Sequence, residues 1–300
     1  HTRFADLNAE RNVEGRLINN GANVVLGRGL TWPDDYFSLQ VGLSFESFTL
    51  ENWTSQSFII TDGVSNNFAL SLTLARNSID RPIYPTRGSN FELSLKMTPP
   101  YSLISGRDFS DAPDNEKYKW IEYHKWKFKA EWFLPIGKKQ KVVLRTAAKF
   151  GFLGLYNNDI GYSPFERFEL GGDGIANFNF AGRDIIALRG YDVFTPSTGA
   201  PFYNKYTIEM RFPFSTNPNS TIYAHAFAEA GNFYTDIKSY DPFDVRRSAG
   251  LGVRIFLPMF GLLGFDYGIG FDKDLGSATS FGDYLSKYGR FSIVLGFEPE

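Results

Sequence analysis

The sequence predicts an all-β chain, an antiparallel transmembrane β-barrel of about twelve strands, and three observations lead there. The first is a strict alternation of apolar and polar residues: Phe37, Leu39, Val41, Leu43 and Phe45 share one register, with Ser38, Gln40, Gly42, Ser44 and Glu46 on the other. Successive side chains of a strand point to opposite faces, so one face of such a strand meets an apolar medium and the other meets water. The second is the polar register of residues 118–134, where Lys125, Lys127, Lys129 and Glu131 alternate with Trp126, Phe128, Ala130 and Trp132. Four neighbouring charges would be prohibitive in the dry core of a sandwich, whereas a water-filled lumen accepts them. The third is composition. Aromatic residues make up 17% of the chain, with 30 Phe and 16 Tyr, which suits the interfacial girdles of a barrel wall. No apolar run approaches ~18 residues, which excludes membrane-spanning helices and leaves the closed barrel as the other spanning solution.

Alternation bounded by Gly, Pro, Asn and Asp turns places the strands. Two weak segments come first, near residues 2–10 and 15–30. Clear ones follow at about 36–50, 66–78, 88–98, 119–135, 141–155, 203–214, 220–234, 246–257, 261–271 and 288–297. Pro135, Pro213 and Pro258 sit at strand ends, where a missing N–H costs least. Connections alternate between short ones, such as 137–140 and 258–261, and long ones, such as 99–117 and 157–202. That asymmetry is expected of short periplasmic turns and long outer loops. No segment shows a helical period. The whole chain, residues 1–300, reads as one barrel domain with a single long insertion at 157–202, folded into the lumen.

Formal net charge is −2, so there is no electrostatic case for nucleic acid. The chain has no cysteine, which removes disulfides, thiol chemistry and cysteine metal sites together. The opening residues 1–10 contain neither an initiator Met nor a charged segment followed by an apolar one, and read as the start of a mature or truncated piece. Near the other end, Phe291, Ile293, Leu295 and Phe297 alternate in the last strand and resemble the terminal β-signal of bacterial outer-membrane proteins, with Glu298, Pro299 and Glu300 extending past it.

The insertion contains Leu188, Arg189, Gly190 and Tyr191, preceded by Phe165-Glu166-Arg167-Phe168 and the glycine cluster Gly171-Gly172-Asp173-Gly174. Taken alone, Arg-Gly-aromatic is also compatible with a turn carrying a solvated arginine. In context, Leu-Arg-Gly-Tyr resembles the Val-Arg-Gly-Phe motif of the sixth extracellular loop of BamA-type outer-membrane assembly barrels, the bacterial surface antigen family. Residues 76–80 through 87–89, 227–232 and 248–254 are similar to that family's barrel in the same order. The resemblance implies a loop arginine, Arg189, that folds into the lumen and pairs with Glu209 and Glu229. Alternation agrees, since Tyr206, Ile208, Met210 and Phe212 claim the lipid face and leave Lys205, Thr207, Glu209 and Arg211 to the lumen. It further implies a non-enzymatic insertase with no cofactor, acting on unfolded outer-membrane β-barrel clients through a lateral gate bordered by the last strand. Accessory lipoproteins and outer-membrane lipids would be its partners in the bacterial outer membrane. The family barrel has about sixteen strands and is preceded by POTRA domains, so the first strands and those domains are expected upstream of His1.

Two other readings stand beside it. A two-partner secretion translocator or a porin-like pore would pass a chain or solutes through the lumen, although an inserted loop argues against an open porin. An outer-membrane enzyme would need a triad assembled by geometry alone, because no Gly-x-Ser-x-Gly is present. The three histidines are scattered, and His124 and His225 lack acidic neighbours at metal spacing, so structural roles are expected for them. Gly171-Gly172-Asp173-Gly174 lacks the Lys-Ser/Thr of a phosphate loop. The stripe of Lys125, Lys127, Lys129, Arg145 and Lys149 is expected to be neutralised by Glu92, Glu122, Glu131 and acidic loops.

Overall fold

The computed structural model describes residues 2–8, 13–53, 60–137, 141–172, 182–217, 219–258, 261–276 and 280–295, with side chains from residue 15 onward apart from Phe281 and Leu295. Five strands open the chain: β1 (Thr2–Asn8), β2 (Val13–Gly29), β3 (Phe37–Glu51), β4 (Gly63–Asn77) and β5 (Gly88–Met97). The connection to β6 (His124–Ile136) carries two short helices, α1 (Tyr101–Ser105) and α2 (Asp114–Lys117). After β7 (Val142–Gly154) the insertion holds β8 (Phe168–Leu170) and β9 (Asp184–Ile186). The wall resumes with β10 (Phe202–Asn217), β11 (Ser220–Tyr234), β12 (Arg246–Leu257), β13 (Gly261–Gly270) and, after α3 (Phe281–Tyr288), β14 (Gly289–Leu295).

Twelve of these strands form one antiparallel sheet in chain order, with β10 paired directly to β7 and the insertion standing outside the ladder. Every long strand has the ~9–11 residues that a tilted membrane crossing needs. Alternation does what the sequence requires of it. On β6, Trp126 is 41% exposed on the outer face while Lys125 is 4% exposed on the inner one. Leu39, Val41, Leu43, Phe68, Leu93, Ile208, Met210, Leu251 and Phe291 also stand exposed on the outer face, as a lipid-facing wall demands. Among the described residues no pairing joins β1 to β14, which are the two edges of the rolled sheet.

Rolling brings distant strands together over the insertion. Leu17 on β2, Phe48 and Leu50 on β3, and Leu153 on β7 pack with Phe165, Phe168 and Leu170 of the insertion in one buried cluster. At the end with the short turns, the 78–87 connection folds inward instead of extending. Its Tyr84 is buried against Tyr223, with ring centroids 5.1 Å apart, and its hydroxyl donates to the carbonyls of Lys141 and Arg211 at 3.2 and 3.3 Å.

The short helices and the parallel β8–β9 pair are absent from the sequence expectation. Elements of three to eight residues are too short to display a 3.6- or 2-residue period. The one local signal was Ser280, three residues before Asp283, whose side chain caps α3 by accepting from the Asp283 N–H.

Candidate functional site: an ion-pair clamp on the lumen loop

Strand register decides which acids reach the lumen. Glu209 lies on the inner face of β10, Glu229 and His225 on that of β11, and Arg254 and Asp266 on those of β12 and β13, all buried. The outward positions between them are Ile208, Met210, Ala228, Phe265 and Tyr267. Into this wall the insertion delivers Arg189, itself buried. Its Nε and Nη2 donate to Glu229 Oε1 at 3.1 and 2.8 Å, its backbone N–H donates to Glu229 Oε2 at 2.9 Å, and Nη2 also donates to Glu209 Oε2 at 3.1 Å. Nη1 lies 3.1 Å from His225 Nε2 and 3.8 Å from Asp266 Oδ2. The guanidinium carbon stands 3.6 Å from the centre of the Phe227 ring, a cation–π contact in a water-poor setting. One planar fork therefore ties the loop to three strands at once, which a lysine's point charge cannot reproduce.

The acids are held in turn. Arg254 grips Asp266 with two bonds of 2.7 Å, Arg211 Nε donates to Glu209 Oε1 at 2.7 Å, and Lys205 Nζ stands 3.0 Å from Glu229. Buried ions stabilise only when paired and hydrogen-bonded, and this lattice meets that condition. Leu188 is fully buried beside Arg189. Gly190 has φ +92°, and a Cβ there would come within 3.0 Å of Gly270 N. Gly268 is its counterpart: a Cβ there would stand 2.8 Å from Gly190 N. The loop backbone thus rests directly on the β13 backbone. Tyr191 completes the contact, its hydroxyl donating to the Arg247 carbonyl and accepting from the Asp272 N–H, both at 2.9 Å.

The base of the loop has a second anchor. Glu166 is buried at φ +65°, with Lys125 Nζ 2.9 Å from one oxygen and Lys96 on the other, while Asp184 on β9 lies 3.1 Å from Lys125 and 3.3 Å from Lys127. The lysine stripe is neutralised by Glu131 and by acids of the loop, as expected, but not by Glu122, and Glu92 forms no ion pair among the described residues. Of the three acids proposed for it, Glu131 pairs with Lys129 and Arg145, but Glu122 instead accepts from Ser102, and Glu92 accepts from Ser94. Loop carboxylates answer Lys125 and Lys127. Burial pushes the Glu166 carboxyl up, but Lys125 and Lys96 outweigh it and hold it at about 2, below its ordinary 4.5. A depressed carboxyl contributes stability that is present above the unfolded value and lost as pH falls from 4.5 through about 2. Glu166→Gln is expected to remove on the order of 3 kcal/mol at neutral pH and to flatten the acid limb of a stability–pH curve in that window. A mutant curve parallel to wild type there would reject the anchor.

Of the last-strand residues singled out in the sequence, Phe291 and Ile293 face outward on β14. Leu295 is placed by its backbone alone, and Phe297 lies outside the described residues, as do Asp173 and Gly174. Arg290 of β14 forms an ion pair with Asp192 of the loop. Sequence reasoning left out Asp266, Lys205, Arg254 and His225 as parts of the clamp. Asp266 was findable, since it alternates with the outward Phe265 and Tyr267. His225, kept apart for want of acidic neighbours, has Asp266 at 3.0 Å, across a rolled wall that sequence spacing does not show. Among the described residues, no group of three or more His, Cys, Asp or Glu side chains is placed to hold a metal ion.

Residues 7–298 match the Omp85 superfamily domain. The chain belongs to the Omp85 superfamily. It is an all-β barrel of the bacterial outer membrane. Its fold is similar to that of BamA from Haemophilus ducreyi lacking POTRA domains 1–3, with a TM-score of 0.64 at 18% identity over 97% of this chain and 57% of that one. CdiB from Escherichia coli is similar at a TM-score of 0.57 and 14% identity, over 96% of this chain and 47% of that one. CdiB from Acinetobacter baumannii follows at 0.51 and 12%, over 98% and 45%. This Omp85 chain thus spans about half the length of the solved structures it resembles. No curated protein sequence matches it.

Proposed function

We propose that this Omp85 barrel is the central part of an outer-membrane assembly machine that folds and inserts β-barrel proteins. The observation that carries the proposal is the coupling of the lumen loop to the final strands: Gly190 rests on Gly268 and Gly270 of β13, and Asp192 pairs with Arg290 of β14. The position of the loop and the state of the last strand are thereby linked. Among the described residues β14 is paired on one side only, and an unpaired strand edge templates an incoming strand by β-augmentation. In this reading there is no chemical step, no cofactor and no nucleotide, and the protein is not an enzyme. Phe291, Ile293 and Leu295 border the gate, unfolded outer-membrane barrels are the clients, and accessory lipoproteins and lipids assist.

A second reading is a two-partner secretion transporter, favoured by the similarity to both CdiB structures. Depletion of the full-length protein in its own cells, followed by quantification of many unrelated outer-membrane barrels, separates the two. A broad loss of folded barrels with precursors accumulating in the periplasm is the expected result. Loss of a single exported protein, with other barrels unchanged, would move the assignment to transport.

A further inference from the structure

Three lysines stand side by side on the lumen wall. Lys205 on β10 is the direct cross-strand partner of Lys149 on β7, and Lys149 is that of Lys129 on β6. Like charges placed opposite one another in a ladder are destabilising, so the row calls for anions. Its outer members have them. Lys205 Nζ lies 3.0 Å from Glu229, and Lys129 Nζ lies 3.5 Å from Glu131, with Glu92 as a cross-strand neighbour. Lys149, in the middle, has no carboxylate within 4 Å among the described residues, and the carboxylates around it are already engaged by Arg145, Arg189 and Lys205.

Lys149 borders a cavity of about 290 Å³ between the clamp and the inward-folded 78–87 connection. Four cations line it, Lys129, Arg145, Lys149 and Arg211; Lys129 and Arg145 pair with Glu131 and Arg211 with Glu209, which leaves Lys149 as the cation of this lining with no carboxylate within 4 Å among the described residues. The remainder of the lining includes Ile79, Ile83 and Phe133, which supply a weakly screening wall that strengthens any ion pair formed there.

We infer that Lys149 is the centre of a binding site in the lumen for a small oxyanion of the phosphate or sulfate class. The ammonium offers three donors, and Arg145 and Arg211, each already paired with a carboxylate, add positive potential at the cavity wall, a setting that matches a multiply charged oxyanion better than a single halide. The cavity lies inside the rolled wall, behind the strands whose other face meets lipid, so the ion is free and not the headgroup of a membrane lipid. Its effect is to neutralise the middle of the lysine row and to hold β6, β7 and β10 in their register. This inference is independent of whether the barrel assembles or transports proteins.

The test is equilibrium dialysis of the folded full-length protein in detergent against radiolabelled inorganic phosphate at fixed ionic strength. One saturable site per chain is expected, displaced by sulfate and not by chloride. Lys149→Gln should weaken it by about tenfold or more, while Lys238→Gln, in an exposed 3₁₀ turn (Ile237–Ser239), should leave it unchanged. Absence of saturable binding to the wild type, displacement by chloride as readily as by sulfate, or equal binding by both variants would overturn the inference. Should Lys149→Gln fail to fold, a wild-type structure determined in phosphate decides: density within hydrogen-bond reach of Lys149 supports the site, and an empty cavity rejects it.

Discussion

Replacing Arg189 with Ala is expected to release the lumen loop and to cost about 3–5 kcal/mol, the range measured when one partner of a buried ion pair is removed. The reason is the number of charges left behind. Glu229 loses two side-chain hydrogen bonds, Glu209 loses one, and Asp266 loses a nearby cation, all of them buried. A third bond to Glu229, from the Arg189 backbone N–H, survives the substitution only if the loop stays in place. The twelve-stranded ladder does not pass through Arg189, so the wall should persist while the insertion becomes accessible. Limited proteolysis across residues 155–201 with chemical denaturation reads both effects. Arg189→Lys should recover only part of the loss, because a point charge cannot span Glu209 and Glu229 together with the Phe227 face. If the proposed assembly role holds, levels of folded outer-membrane barrels should fall in cells carrying Arg189→Ala. Protease resistance equal to wild type would rule out the clamp.

A substitution that touches no charge should do nearly as much. Gly268→Val places a branched side chain where even a Cβ would stand 2.8 Å from Gly190 N and 3.1 Å from the Arg189 carbonyl carbon. Both obstacles are backbone, so neither can swing aside, and the loop must lift away from β13. Lifting it withdraws Arg189 from Glu229, so the steric change should reproduce the electrostatic one, with a loss of about 2–4 kcal/mol in the same unfolding assay. The double variant Arg189→Ala/Gly268→Val should then cost clearly less than the two singles added together, since each abolishes the same docked state. Strict additivity would show that the glycine supports the wall and not the loop.

The alternation of residues 37–45 and 125–132 was enough to assign the strands, the lipid face and the lumen face, because a strand's period is set by backbone geometry and each crossing must show one side to lipid. The edges of the wall strands from β3 to β13 lie within three residues of their expected places for the same reason, apart from the start of β6, which begins at His124 where residue 119 was expected. Arg189, Glu209 and Glu229 were legible as candidates because a charge on the inner register has few places to go. The barrel, its two faces and the charged residues available to its lumen can therefore all be read from the pattern of the chain.

Which of these charges meet depends on how the strands are ordered and how the loop crosses them. Asp266 and His225 join the clamp because strand order sets both on one rung with Gly252 of β12 between them, a proximity that depends on the register of neighbouring strands and not on spacing along the chain. Glu166 and Asp184 reach Lys125 and Lys127 from a loop whose path no periodicity records. Gly268 is needed only because another segment of backbone lies on it. Local pattern carries the information that each residue's own backbone imposes, whereas an ion pair or a close backbone approach is a property of two distant segments, and it exists only once the sheet has rolled around the loop.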